Sequence, residues 1–198
     1  MSVEMLEADV SAEFAEDDAL AARLAGDLDA AFESLVVAYQ DRLFAFVLGM
    51  SRDGGLAEEV VQDAFVKAYR ALRRYSKERV TALRLAPWLH RIALNTFRNA
   101  VRGPSLPVVL QDTPPGAADP EIGPEGIALR RVDQARLLAA LRRIPPRFRA
   151  AILLYHGQDL SYADAARVLG IPVGTVKSHV HRGMPLLRRA LLEEVGWS

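Results

Sequence analysis

Between Gly103 and Ile127 this chain holds six of its eleven prolines and four of its thirteen glycines, with no aromatic residue. Such a stretch buries too little apolar surface to offset the entropy of ordering it. It is expected as a linker, semi-stiff where the prolines stand. That one segment splits the 198 residues into two folding units, each of which must find its core on its own side.

Helical periodicity supplies both cores. Phe32, Leu35, Val36, Tyr39, Leu43, Phe46, Val47 and Met50 fall on one stripe of a long helix. Ser51-Arg52-Asp53-Gly54-Gly55 breaks it. A second helix is expected over about 56–72, with Val60, Val61, Ala64, Phe65, Ala68 and Leu72 inside. A third starts at Pro87, a residue suited to a helix's first turn, and buries Leu89, Ile92, Ala93, Phe97 and Ala100. Beyond the linker, residues 128–141 and 148–155 read as helices, the first stopped by Pro145-Pro146 and the second ended at Gly157. No strand-like alternation persists. The expected fold is all-α: two small helical domains, 30–102 and 128–198, joined by the Pro/Gly-rich linker 103–127. Residues 1–29 read as an acidic, solvated lead-in with a short helix around 19–25.

Residues 158–183 carry the most specific pattern. Ser161 is a good N-cap, and Ala165, Ala166, Val168 and Leu169 pack a short helix behind it. Gly170-Ile171-Pro172 makes a tight turn into a second helix, whose Val173, Val176 and Val180 are expected to face inward. Gly174, Thr175, Lys177, Ser178, His181 and Arg182 are left outward, small, hydroxylated or cationic, and none is acidic. This is a helix-turn-helix whose second helix suits the major groove. A helical hairpin with a solvated charged face is the plainer alternative.

A second basic stripe follows Pro87. Arg91, Asn95, Arg98 and Arg102 fall in one line, three cations to track phosphates and one amide able to read a base edge. Lys77, Arg79 and Arg84 precede them. Trp88 can stack on a nucleobase, although a Trp at a helix start more often anchors packing. Helix 56–72 instead presents Glu58, Glu59, Gln62, Asp63 and Lys67. Acids there would repel phosphate, so this face suits a protein partner or plain solvent. The formal charge of zero hides these blocks: it is −8 over residues 1–29, +5 over 30–102, −4 over 103–127 and +7 over 128–198. A neutral total is therefore no argument against a nucleic-acid partner.

With no cysteine, disulfide scaffolds, thiolate zinc sites and cysteine nucleophiles are excluded. The acidic start lacks the pattern of a signal peptide, and no apolar run is long enough to span a bilayer. A soluble cytoplasmic protein is expected. G-x-S-x-G, P-loop and H-E-x-x-H motifs are missing. An enzymatic reading would rest on His156 with Asp159, or on His179 with His181, which point to different sides of a helix. No catalytic residue, metal or cofactor is expected.

Two separate runs then resemble one family. Ala57–Arg70 with Trp88–Asn95 resembles the second conserved region of bacterial extracytoplasmic-function sigma factors. Ile144–Arg149, Leu160–Ala166 and Gly174–His179 resemble their fourth. The resemblance covers 30–102 and 128–192 in the right order. It implies a subunit that binds core RNA polymerase and opens promoters. Its first domain would hold the β′ clamp helices through Glu59, Gln62 and Asp63. Asn95 would hold a flipped base of the melted −10 element, in a pocket formed by the Tyr75–Ala86 loop. The second domain would meet the β flap and read the −35 duplex with Thr175, Lys177, Ser178 and Arg182. The spacer would thread the polymerase cleft. An anti-sigma protein is a further implied partner.

The chain also departs from that pattern. Asn99 stands where the family usually has Asp, His179 where Arg is common, and Gly183-Met184-Pro185 replaces an uninterrupted basic stretch. Pro185 is expected to kink or end the reading helix near Arg182. A free-standing helix-turn-helix regulator, acting without polymerase, is the alternative function.

Overall fold

Asp27 accepts a hydrogen bond from the Ala30 N–H at 3.1 Å and so opens the longest helix of the first domain, α2, Leu28–Ser51. Ahead of it residues 16–26 form α1. The computed structural model describes residues 16–102 and 134–194, so the expected linker 103–127 lies outside the described residues. Two residues separate α2 from the next helix: Arg52, left-handed at φ 70°, and Asp53, whose carboxylate caps α3, Gly54–Leu72, at Leu56 N. A short α4, Lys77–Thr81, follows, capped by Ser76, and then α5, Leu85–Arg102. The second domain comprises α6, Gln134–Arg143, α7, Pro146–Ile152, a π-helical turn Leu153–Gly157, α8, Tyr162–Leu169, and α9, Val173–Glu194. Among the described residues there is no strand, and no helix is long and apolar enough to cross a membrane.

The α2 stripe is buried as its spacing requires, with Leu35, Tyr39, Leu43, Phe46 and Val47 at the centre of the first bundle. Four details differ from expectation. The lead-in is not solvated throughout: Leu20, Ala21 and Leu24 of α1 are buried, and Asp17 accepts the Tyr39 hydroxyl. Helix α5 begins two residues before Pro87, which is harmless there because first-turn N–H groups lack helical partners anyway. Its last turn projects past the core, leaving Ala100 exposed. Most notably, α9 does not stop near Arg182 but runs through Pro185 to Glu194. Packing on both sides of the proline holds it. Gly183 lets α7 cross so closely that a Cβ there would lie 2.7 Å from Ile152 Cδ1, and Leu187 and Ala190 are buried beyond.

Much of the second domain packs into the first domain's core, while α6, α7 and the end of α9 enclose a smaller cluster of their own. Leu85, Leu89 and Ala93 of α5 pack in the same buried cluster as Leu160, Ala165, Val168 and Leu169 of the second domain. Gly49 leaves the space that Leu153 fills; a Cβ there would lie 2.8 Å from Leu153 Cδ1. Arg149, 4% exposed, donates to Met50 O at the end of α2 (3.0 Å) and to Ile144 O and Arg142 O at the end of α6 (3.0 and 3.2 Å). A cation thus meets two helix carboxyl ends at once.

His90 is fully buried at the same seam, its Nδ1 2.7 Å from Ala86 O and its Nε2 3.1 Å from the Gln158 side-chain amide. Burial pushes its pKa down to about 4, against a smaller upward pull from those hydrogen bonds. The unfolded chain binds this proton more readily, so stability falls as pH drops from the unfolded value of about 6.5 toward 4. Between pH 7 and 5 the group alone removes about 2 kcal/mol. Urea titrations at both pH values should show that loss in the wild type and a smaller one in His90→Gln; equal losses would exclude His90 as the cause.

Candidate nucleic-acid interface

The turn between α8 and α9 is built from local chemistry. Ser161 Oγ accepts from Asp164 N at 3.1 Å and opens α8. Gly170 closes it at φ 73°, its N–H donating to Ala166 O at 2.8 Å. Pro172 O then accepts from Thr175 N and Val176 N, turning the chain into α9. Val176 and Val180 are buried, as their spacing predicts, but Val173, at the first position of the helix, is 41% exposed. Gly174, Lys177, His181 and Arg182 are exposed, and Thr175 and Ser178 half-buried. The Lys177 ammonium lies 5.7 Å from the Tyr162 ring centroid. His179 turns away from this face onto Phe148, with ring centroids 5.4 Å apart. The outward surface therefore combines hydroxyls, a small residue and cations without a carboxylate, which suits phosphates and base edges.

On α5, Arg91, Asn95 and Arg102 are exposed and Arg98 half-buried. Burial, then Arg102 and Arg91, push the Arg98 guanidinium's pKa below its ordinary value. Trp88 is half-buried against Tyr75, ring centroids 6.3 Å apart, with Arg79 over the Tyr75 ring at 3.7 Å. Arg84 and Arg91 point toward the second domain: Arg84 Nη2 is 3.1 Å from Asp164 Oδ2, and Arg91 Nη1 donates to Arg167 O at 2.9 Å. On α3, Glu59, Gln62, Asp63 and Val66 are exposed in one band, with Lys67 reaching back to Thr96 Oγ1 at 3.1 Å.

Comparison with known proteins gives this geometry its family. Residues 35–105 match Sigma-70 region 2, and residues 134–187 match Sigma-70, region 4. The RNA polymerase sigma-H factor of Pseudomonas aeruginosa is 32% identical over 170 residues, covering 81% of this chain and 86% of its own. The ECF RNA polymerase sigma-E factor of Escherichia coli is 33% identical over 190 residues, covering 87% and 97%. The chain belongs to the extracytoplasmic-function class of sigma-70 family RNA polymerase sigma factors. Its structure is also similar to CnrH in complex with the cytosolic domain of CnrY, at a TM-score of 0.62 and 26% identity, covering 89% of this chain and 97% of that one.

In this sigma factor Asn95, Arg98 and Arg102 of the basic stripe lie on α5, and the outward-facing Thr175, Lys177, Ser178, His181 and Arg182 lie on α9 in the other domain. The residues that join those domains, Arg149, Gln158 and Asp164, escaped the sequence reading. Ser161 three residues before Asp164 is a visible capping pattern. Nothing local reveals that the same carboxylate also meets Arg84. Gly49 and Gly183, standing inside helical patterns, were the available signals of close approach.

Proposed function

We propose that the two domains divide promoter recognition between them on core polymerase. The observation carrying this reading is the pair of acid-free basic helix faces, on α5 and α9, beside a separate acidic band on α3. Glu59, Gln62 and Asp63 bind the clamp helices of β′. Arg84, Trp88, Arg91, Asn95, Arg98 and Arg102 take the melted −10 strand, with Asn95 holding a flipped base. Gly174, Thr175, Lys177, Ser178, His181 and Arg182 read the −35 duplex, while the second domain meets the β flap. The first domain spans 30–102, the linker 103–127 and the second domain 128–198, behind the lead 1–29. The protein supplies recognition and strand opening rather than catalysis, and works in the cytoplasm, held in reserve by an anti-sigma protein.

Two variants separate the faces. Asn95→Ala should leave core binding intact and reduce open-complex formation, read by permanganate reactivity of unpaired thymines, by roughly tenfold or more. Gln62→Ala with Asp63→Ala should weaken core binding first, read by titrating labelled protein with core. Identical behaviour of the two variants would contradict the division.

A further inference from the structure

The Lys177 ammonium has an aromatic ring for a neighbour, not a carboxylate. It lies 5.7 Å from the ring centroid of Tyr162, the first residue of α8, and among the described residues no acid pairs with it. Tyr162 is itself held. Its ring stacks on that of Tyr155, with centroids 4.0 Å apart and planes 10° from parallel, and both residues are half-buried. Tyr155 stands in the π-helical turn Leu153–Gly157, a wider turn of the kind that recurs at functional sites. There Leu154 is fully buried, while Tyr155 reaches α8 and also meets the His156 ring at 4.7 Å, nearly perpendicular. The Leu160 N–H donates to Leu154 O at 3.1 Å, which leads the chain from this turn to Ser161, the α8 cap.

A ring and a carboxylate hold a lysine differently. A carboxylate would offset the charge that a phosphate must meet, whereas the face of a ring attracts the ammonium and leaves that charge in place. The lysine stem also loses rotamer freedom when it docks, and orienting it beforehand recovers part of that loss as affinity. The direction suits the task. In a helix-turn-helix the first helix crosses the DNA backbone while the second lies in the major groove. Tyr162 opens the first of these helices, and Lys177 stands just past the first turn of the second. Resting on the −35 assignment above, we propose that Tyr162, braced by Tyr155, is a positioning residue that aims Lys177 at a promoter phosphate.

The test is a double-mutant cycle on the holoenzyme, read as its affinity for a promoter duplex. Tyr162→Leu should weaken binding roughly three- to fivefold, the range that an exposed cation–π contact supplies. Tyr162→Phe keeps the ring and should bind like wild type. In a Lys177→Ala chain, Tyr162→Leu should change nothing further, because the side chain it serves is gone. Core binding and thermal unfolding, followed on each variant, separate aim from stability. If Tyr162→Leu does not fold, Tyr155→Leu takes its place in the cycle, with the same expected loss and the same silence once Lys177 is removed. Equal losses with and without Lys177 overturn the positioning role, as does no loss from Tyr162→Leu. A loss in Tyr162→Phe as large as in Tyr162→Leu overturns it too, by giving the contact to the hydroxyl. In each of these cases a weakened Lys177→Ala holoenzyme leaves the −35 assignment standing. A Lys177→Ala holoenzyme with wild-type affinity overturns that assignment of Lys177 and the proposal with it.

Discussion

Arg149→Met is expected to destabilise the protein by on the order of 3 kcal/mol, measured by urea unfolding at neutral pH. The guanidinium is 4% exposed and donates to three main-chain carbonyls, Met50, Ile144 and Arg142. Methionine preserves most of the apolar stem but supplies no donor. Each abandoned buried acceptor then bears its full desolvation cost, about 1–3 kcal/mol. Two of those carbonyls belong to the second domain and one to the first, so the variant also loosens the seam. Arg149→Lys should recover only part of the loss, because an ammonium cannot reproduce the planar fork. A loss under about 0.5 kcal/mol, typical of a surface site, would show that these carbonyls are solvated.

The other large effect concerns α9. Lys177→Ala with Arg182→Ala should lower the affinity of the polymerase holoenzyme for promoter duplex by roughly a hundredfold, and should reduce the salt slope of log K by about 2. Both side chains are exposed on the helix face that carries Thr175 and Ser178. Neither belongs to the buried side formed by Val176 and Val180. Core binding and thermal stability should therefore remain near wild type. An unchanged salt slope would remove these residues from the phosphate contacts.

What could be read from the sequence was local, and what escaped it was long-range. The α2 stripe and the caps at Ser161 and Gly170 follow from spacing and side-chain chemistry, and the structure shows them. Pro185 misled because its local penalty is real, yet Gly183, Leu187 and Ala190 bind α9 to α6 and α7 on both sides of it. Leu20, Ala21 and Leu24 were hidden among acids whose charge dominates any reading of the lead. The basic stripe on α5 was visible as a line of arginines. The contact of its Arg91 with Arg167 of α8 was not, because the two residues are 76 positions apart and nothing near either announces the other.

The measurement that tests the account most directly is a band-shift on a pool of promoter fragments with core RNA polymerase, alone and together with this protein. Sequence-specific complexes should appear only when both are present, and sequencing the bound DNA should yield two elements separated by a fixed spacing. Specific binding by the protein alone, indifferent to core, would contradict the sigma-factor account and make the chain a free-standing regulator.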